Sequence, residues 1–233
     1  VRSLKRNRSD WISEATTGPR GPIPTLCDYR EVFTGGKYRG VTVTSNRHDL
    51  LKPLHNIMYD HLSRQKWLLR GDAVPKRFEG FEPKEGEVFV SGDYESATDN
   101  LSQAASMILL KAVLRRCRNA PKGIRMAALQ SLSAEINYGD FTVMQRRGQL
   151  MGNYLSFPLL CLHNYVMFRS TYGVQTPVRI NGDDIVFRST MCRVKEWANV
   201  VGLAGLKLSV GKTLFHSSVF SLNSTFFRSS KSG

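Results

Sequence analysis

No stretch of this chain approaches the roughly eighteen consecutive apolar residues that a membrane-spanning helix needs, so no span is expected. Cysteine is sparse and scattered. Cys27, Cys117, Cys161 and Cys192 form no C-x-x-C pair and no Cys/His cluster at zinc spacing. That excludes a zinc ribbon or a dense disulfide framework and points to buried free thiols in a reducing compartment. No Ser/His/Asp set or Cys/His pair can be assembled either. His55, His61 and His163 fall among apolar residues at helical spacing and read as structural. Acidic residues are short as well, 19 Asp and Glu against 33 Lys and Arg, for a net charge of +14. Such an excess goes well beyond the needs of solubility and points to a polyanionic partner, most simply nucleic acid. Repeats and low-complexity segments are also missing. The first residue is not Met and no apolar leader follows, so both ends, VRSLKRNRSDW and FFRSSKSG, read as cut from something longer.

The 233 residues are 41% hydrophobic, enough for one large or two small domains with a sizeable core. Residues 1–36 are basic and punctuated by Gly and Pro, and they read as loops with one short helix at best. Lys37–Thr44 alternates like a strand, and Leu50–Leu69 carries apolar residues at helical spacing. Glu87–Gly92 is a strand leading into a helix whose apolar face is Leu101, Ala105, Ile108, Leu109, Ala112 and Val113, with Thr98 or Asp99 as its cap. A helix over Ile124–Ser133, a hairpin over Tyr138–Gly148 and a long helix over Asn153–Tyr172 follow. Val178–Arg188 reads as a hairpin with Gly182-Asp183-Asp184 at its turn. A helix near Val194–Val201 and short strands near Lys207–Ser209 and Ser218–Phe227 close the chain. This order predicts an α+β fold, three strands backed by two helices, with one sheet face open.

Three carboxylates decide the chemistry. Asp93 in SGDYESATDN and Asp183 and Asp184 in INGDDIVF each follow a short β-rich run. Adjacent strands would bring them to one end of a sheet, where they would repel unless a cation sat between them. Mg²⁺ takes one or two carboxylates plus substrate phosphates, and two such ions make the site of nucleotidyl transfer. Gly148–Asn153, leading into a helix, offers backbone N–H groups to a nucleotide or template backbone. GLKLSVGKT imitates a phosphate-binding loop but is rejected as one. Gly205 is one residue too far from Gly211, and a helical stretch precedes it rather than a strand.

With these pieces in order, the chain resembles the palm of viral RNA-dependent RNA polymerases. It is most like the ourmia-like (botourmiavirus) group, relatives of the narnaviruses, mitoviruses and RNA-phage replicases. The resemblance runs from about Gly36 to Phe227. SGDYESATDNLS looks like motif A, GQLMGNYLSFPLL like motif B and NGDD like motif C. GLKLSVGKT is similar to motif D and VFSLNSTFF to motif E, and GGKYRGVTVTSNR sits where motif F is expected. No single motif is decisive, but six in the right order are specific.

The resemblance implies a right-hand polymerase with partial fingers over 1–86 and a palm over 87–233. A finger segment would be inserted around 119–147, and the thumb would be missing. Asp93 and Asp183 would hold two Mg²⁺ ions, with Mn²⁺ as a substitute and Asp184 assisting. Lys37, Arg39 and Arg47 would neutralise the triphosphate, Gly152 would give the motif B loop its freedom, and Ser156 matches the small hydroxyl position of that motif. Asp99 would sense the ribose 2′-hydroxyl, and Lys212 would protonate pyrophosphate. The implied partners are an RNA template and product and ribonucleoside triphosphates, and the implied setting is the host cytoplasm, with the mitochondrion as alternative. One departure stands out. Many such polymerases carry Asn eight residues beyond the motif B glycine, where this chain has Leu160; Asn164 lies a turn later and is assigned no sugar contact. The rivals are a reverse transcriptase and a non-catalytic basic RNA-binding module. The first usually shows an aromatic residue before x-Asp-Asp where Asn181 stands here. The second leaves three clustered carboxylates unexplained.

Overall fold

Ten strands and seven α-helices alternate along the described part of the chain. A computed structural model describes residues 7–18 and 25–229. The order is α1 (Arg8–Thr17), β1 (Leu26–Thr34), β2 (Lys37–Val43), α2 (Lys52–Ser63), β3 (Val88–Gly92), α3 (Ala97–Asn100), α4 (Gln103–Arg116) and α5 (Lys122–Gln130). It continues with β4 (Glu135–Asn137), β5 (Thr142–Met144), α6 (Ser156–Thr171), β6 (Val178–Asn181), β7 (Asp184–Ser189), α7 (Met191–Leu203), β8 (Leu214–His216), β9 (Val219–Leu222) and β10 (Thr225–Arg228). The fold is α+β. It divides into two compact units, one from residues 1–58 and 102–159, the other from 59–101 and 160–233.

The first unit holds a four-stranded sheet in the order β2-β1-β4-β5. Its β1–β2 hairpin turns on Gly35 and Gly36, whose φ angles of 58° and 77° are left-handed. Paired left-handed residues match the twist of a two-residue hairpin, and glycine adopts them without steric cost. β1 pairs with β4 in parallel, the one parallel ladder among the described strands. Within the described part of residues 1–36, α1 is the one short helix expected, and the expectation of loops elsewhere is corrected by β1; residues 1–6 and 19–24 lie outside the described residues. β1 hides from a periodicity search because almost all of it is exposed, so no apolar alternation marks it. In α4 the buried positions are Ser106, Leu110 and Leu114, while Ile108 is 68% exposed, which rotates the expected apolar face.

The second unit is built on a four-stranded sheet in the order β6-β7-β3-β8. β3 is central, antiparallel to both β7 and β8. One sheet face carries Phe187, which packs with Phe168 of α6, with Tyr172 just past the end of that helix and with Trp197 of α7. Gly92 permits this closeness, since a Cβ there would stand 2.8 Å from Ile185 and 3.2 Å from the Trp197 ring. The other face was expected to be open and is not. Phe89 and Val186 lie beneath Phe78, Phe81, Phe220 and Leu222 in one buried cluster. The aromatic side chains of 78–81 and of the β9–β10 hairpin supply that cover, so Val219–Phe227 is partly core; Phe226 alone of its aromatics is strongly exposed, at 71%. Lys207–Ser209 forms only an isolated bridge, Tyr94 to Leu208, and the fourth strand is β8 instead. Among the described residues no helix is long and apolar enough to cross a membrane. All four cysteines are free; Cys27 and Cys161 are buried, while Cys192 is exposed, against expectation.

Candidate active site

β3 runs antiparallel to β7 with Gly92 opposite Ile185. One step further along that register Asp93 faces Asp184, and residues directly opposite in an antiparallel pair point to the same side. Asp183 precedes Asp184 in the two-residue turn that joins β6 to β7, where Asn181 pairs with Asp184. Gly182 has φ 62° and Asp183 does not share that positive φ, the pattern of a type II′ hairpin. Strand pairing therefore gathers all three carboxylates at one sheet end, as expected from the sequence.

The electrostatics record the crowding. The Asp184 carboxyl is pushed up to about 6 by burial, then by the neighbouring Asp183 and, more weakly, by Asp93. A hydrogen bond from the Asn223 backbone N–H to its Oδ2, at 3.2 Å, works in the opposite direction. That N–H comes from the β9–β10 turn, where Asn223 and Ser224 have φ 51° and 57°. Lys212 Nζ stands 3.6 Å from Asp93 Oδ2, and Lys207 Nζ stands 3.1 Å from Glu95 Oε2. The segment carrying both lysines is tied to the Asp93 loop through its backbone. Ser209 N–H donates to the Asp93 carbonyl at 2.8 Å, and Glu95 N–H donates to the Lys207 carbonyl at 2.8 Å.

Beyond Asp93 the chain turns sharply. Ser96 takes a left-handed conformation, φ 44°, and opens the four-residue α3. Asp99 lies inside α3 and is exposed. The expected capping role of Thr98 or Asp99 is corrected. Leu101 is extended and separates α3 from α4, and Ser102 caps α4 by accepting from Ala105 N–H.

Three buried groups under the turn were not anticipated. Asn164 on α6 is 0% exposed and its Nδ2 donates to the carbonyls of Gly182 and Asp183, each at 3.3 Å. Its Oδ1 accepts from the Tyr94 hydroxyl at 2.8 Å. Cys161 Sγ accepts from Gly182 N–H at 3.3 Å, and burial pushes its thiol up to about 12, so it serves as a neutral acceptor. The spacing of Cys161 and Asn164, three apart on a helix, was the available signal.

The other expected residues belong to the first unit. Lys37 opens β2 at the hairpin tip and Arg39 shares its face two residues on, with Arg30 on the same face of β1 by register. The Arg47 side chain lies outside the described residues. Gly152 has φ 114°, and a Cβ there would meet the Thr42 carbonyl oxygen at 2.1 Å. Thr42 binds the same loop by donating its N–H and Oγ1 to the Met151 carbonyl at 2.7 and 2.8 Å. Gly152 is thus required for close approach, a sharper reason than the loop freedom expected of it. Ser156 Oγ donates to the Leu150 carbonyl at 2.8 Å and closes the loop that opens α6.

No family model matches the chain. Over an alignment of 182 residues it is 32% identical to the RNA-dependent RNA polymerase of Ourmia melon virus (isolate Melon/Iran/VE9). The chain is similar to a viral RNA-dependent RNA polymerase. The match covers 69% of this chain and 20% of the polymerase, so the chain spans about a fifth of the length of that curated relative.

Polymerase chemistry implies divalent metal ions. Among the described residues no group of three His, Cys, Asp or Glu side chains is arranged to hold a metal ion by itself. Asp93, Asp183 and Asp184 nevertheless offer only carboxylate oxygens, and after burial Asp183 and, more weakly, Asp93 raise the proton affinity of Asp184. Hard divalent ions suit such donors, and Mg²⁺ completes its shell with water and substrate phosphate rather than an all-protein cage. The residues fit a metal that is shared with a triphosphate.

Proposed function

We propose that this chain is the catalytic core of an RNA-directed RNA polymerase that replicates a viral RNA genome. In this reading the second unit is the palm and the first contributes fingers. The observation that carries the proposal is the placement of Asp93 beside Asp184, with Asp183 in the adjoining turn, at the end of two paired central strands. Likeness to the polymerase of Ourmia melon virus supports it independently. Asp93 and Asp183 are the residues that would hold two Mg²⁺ ions, with Asp184 assisting. Bound there, the metals would activate the RNA 3′-hydroxyl and stabilise the departing pyrophosphate.

The chain's own side chains do the rest. Lys212, on a segment pinned to the Asp93 loop, can deliver a proton to pyrophosphate. Asp99, released from capping and exposed on α3, can accept from a ribose 2′-hydroxyl. Lys37 and Arg39 present fixed positive charge to a triphosphate. RNA template and product are held chiefly by phosphate contacts, consistent with the net charge of +14.

The decisive experiment is incorporation of labelled ribonucleotides by the intact protein on an RNA template, with Mg²⁺ or Mn²⁺ and with chelator. Metal-dependent extension that Asp93→Asn abolishes, with RNA binding retained, is expected. Unaffected extension by Asp93→Asn would sink the site assignment. Salt-sensitive RNA binding without any synthesis would favour the basic RNA-binding module. Equal use of deoxynucleotides would favour a reverse transcriptase.

A further inference from the structure

We propose that Asn164 and Tyr94 are positioning residues that fix where the Asp183 carboxylate stands, acting through the backbone of its turn. The inference deepens the polymerase reading and rests on it. A carboxamide has two N–H donors and one oxygen acceptor. Asn164 spends its nitrogen on two successive carbonyls, Gly182 and Asp183, and its oxygen on the Tyr94 hydroxyl. Carbonyls of a two-residue hairpin turn ordinarily face water, but these face a fully buried side chain. Reversing the amide would set an oxygen against two carbonyl oxygens, so its partners fix the orientation.

The Gly182 N–H is held as well, by the Cys161 sulfur. The peptide groups on both sides of Gly182 and the one that follows Asp183 are therefore clamped to α6. Rotating any of them would swing the Asp183 Cβ. Tyr94 is 3% exposed and immediately follows Asp93. One buried chain of hydrogen bonds thus runs from the residue after Asp93 to the residue bearing the second carboxylate. Its consequence is a set spacing between Asp93 and Asp183. Asp184 is held separately, by the Asn223 N–H.

A network serving stability alone predicts a lower melting temperature and nothing else. Positioning predicts a change in metal chemistry, because Mg²⁺ demands near-ideal octahedral geometry. The test uses the intact protein with Tyr94→Phe, which removes one hydroxyl and keeps the ring, and Asn164→Ala. Mn²⁺ binding is followed by loss of the free-ion paramagnetic resonance signal, without nucleotide. Both variants should lose about ten- to a hundred-fold in Mn²⁺ affinity, the range for groups that orient metal ligands. Mg²⁺-supported turnover should fall by a similar factor, with a smaller deficit in Mn²⁺ and a nucleotide KM that moves by less than about threefold. A Tyr94→Phe protein with wild-type Mn²⁺ affinity and wild-type Mg²⁺/Mn²⁺ activity ratio, only less heat-stable, overturns the proposal. If Asn164→Ala does not fold, Tyr94→Phe decides alone. A wild-type protein that binds Mn²⁺ but incorporates nothing overturns the polymerase reading instead, and the affinity comparison still decides the positioning role.

Discussion

Two hairpins of this protein share a turn chemistry and differ in everything around it. β1–β2 turns on Gly35 and Gly36, where an added Cβ would meet nothing within 4 Å, and its flanking Phe33 and Tyr38 are 63% and 73% exposed. β6–β7 turns on Gly182 and Asp183, between fully buried Ile180 and Ile185, with a cysteine and an asparagine beneath it. The first presents Lys37, the second Asp183. A glycine-led turn sets which residues pair across a hairpin. It does not set how firmly the charge it carries is held. Cations that meet phosphate in water gain from reach, since their attraction is long-ranged and tolerant of geometry. Carboxylates that must share a position gain from confinement.

Breaking the comparison at its charges should give the largest effect. Asp183→Asn is expected to lower nucleotide incorporation by on the order of 10³ or more, the scale seen when a preorganised charge-stabilising group is lost. Lys37→Ala should leave turnover at saturating nucleotide within about tenfold of wild type. Single-turnover extension assays on the two variants side by side measure the contrast, and similar losses in both would erase it.

The next effect falls within the exposed hairpin, whose tip is open and whose base is not. Gly152→Ala combines a left-handed backbone with a collision against the Thr42 carbonyl, and should cost about 3 kcal/mol. Gly35→Ala meets only the backbone strain, about 1 kcal/mol. Urea melts of the intact protein rank them, and a Gly35 loss equal to that at Gly152 would contradict the packing described.

Acidity separates the hairpins in a third way. The Asp184 carboxyl is raised from 3.8 to about 6 in the fold by burial and by Asp183, with Asp93 adding and the Asn223 N–H opposing. The folded state then holds a proton that the unfolded chain has released, so without metal stability should fall as pH rises from about 4 to about 6. Melting temperatures in chelator across that window should decline, and millimolar Mg²⁺ should flatten the decline; an unchanged or rising profile would remove Asp184 from the cluster.

The smallest effect concerns Lys37 and RNA. Loss of one phosphate contact should weaken binding uniformly across sequences and reduce the salt slope by about 1. Fluorescence anisotropy at several ionic strengths reads it directly.

The carboxylate site was legible because each part of it is local. Short β-rich runs ending in Asp93 and in Gly182-Asp183-Asp184 need only pair to assemble it, and they pair with Gly92 opposite Ile185. The clamp was not legible in the same way. Asn164 lies 18 residues from Gly182, and it meets Tyr94 across 70 residues. Nothing in a helical apolar run distinguishes a buried asparagine that bonds a turn from one that faces solvent. Ser102 displaced Asp99 as the cap because Ser96 takes a left-handed backbone that spends Asp99 on a helix of its own. β1 was missed because pairing, rather than a buried face, makes it a strand.

The central position of β3 carries a consequence for how the protein is made. Its neighbours on both sides lie downstream, Val88 pairing with Ser189 and Phe89 with His216. On the ribosome the strand that leads into Asp93 therefore emerges roughly a hundred residues ahead of either partner, a separation that slows strand pairing. Through that interval both of its edges are unsatisfied, and it is rich in β-formers, VFVSG, a combination prone to pairing with the wrong chain. The strand that leads into Asp93 is thus also the one that waits longest for a partner during synthesis.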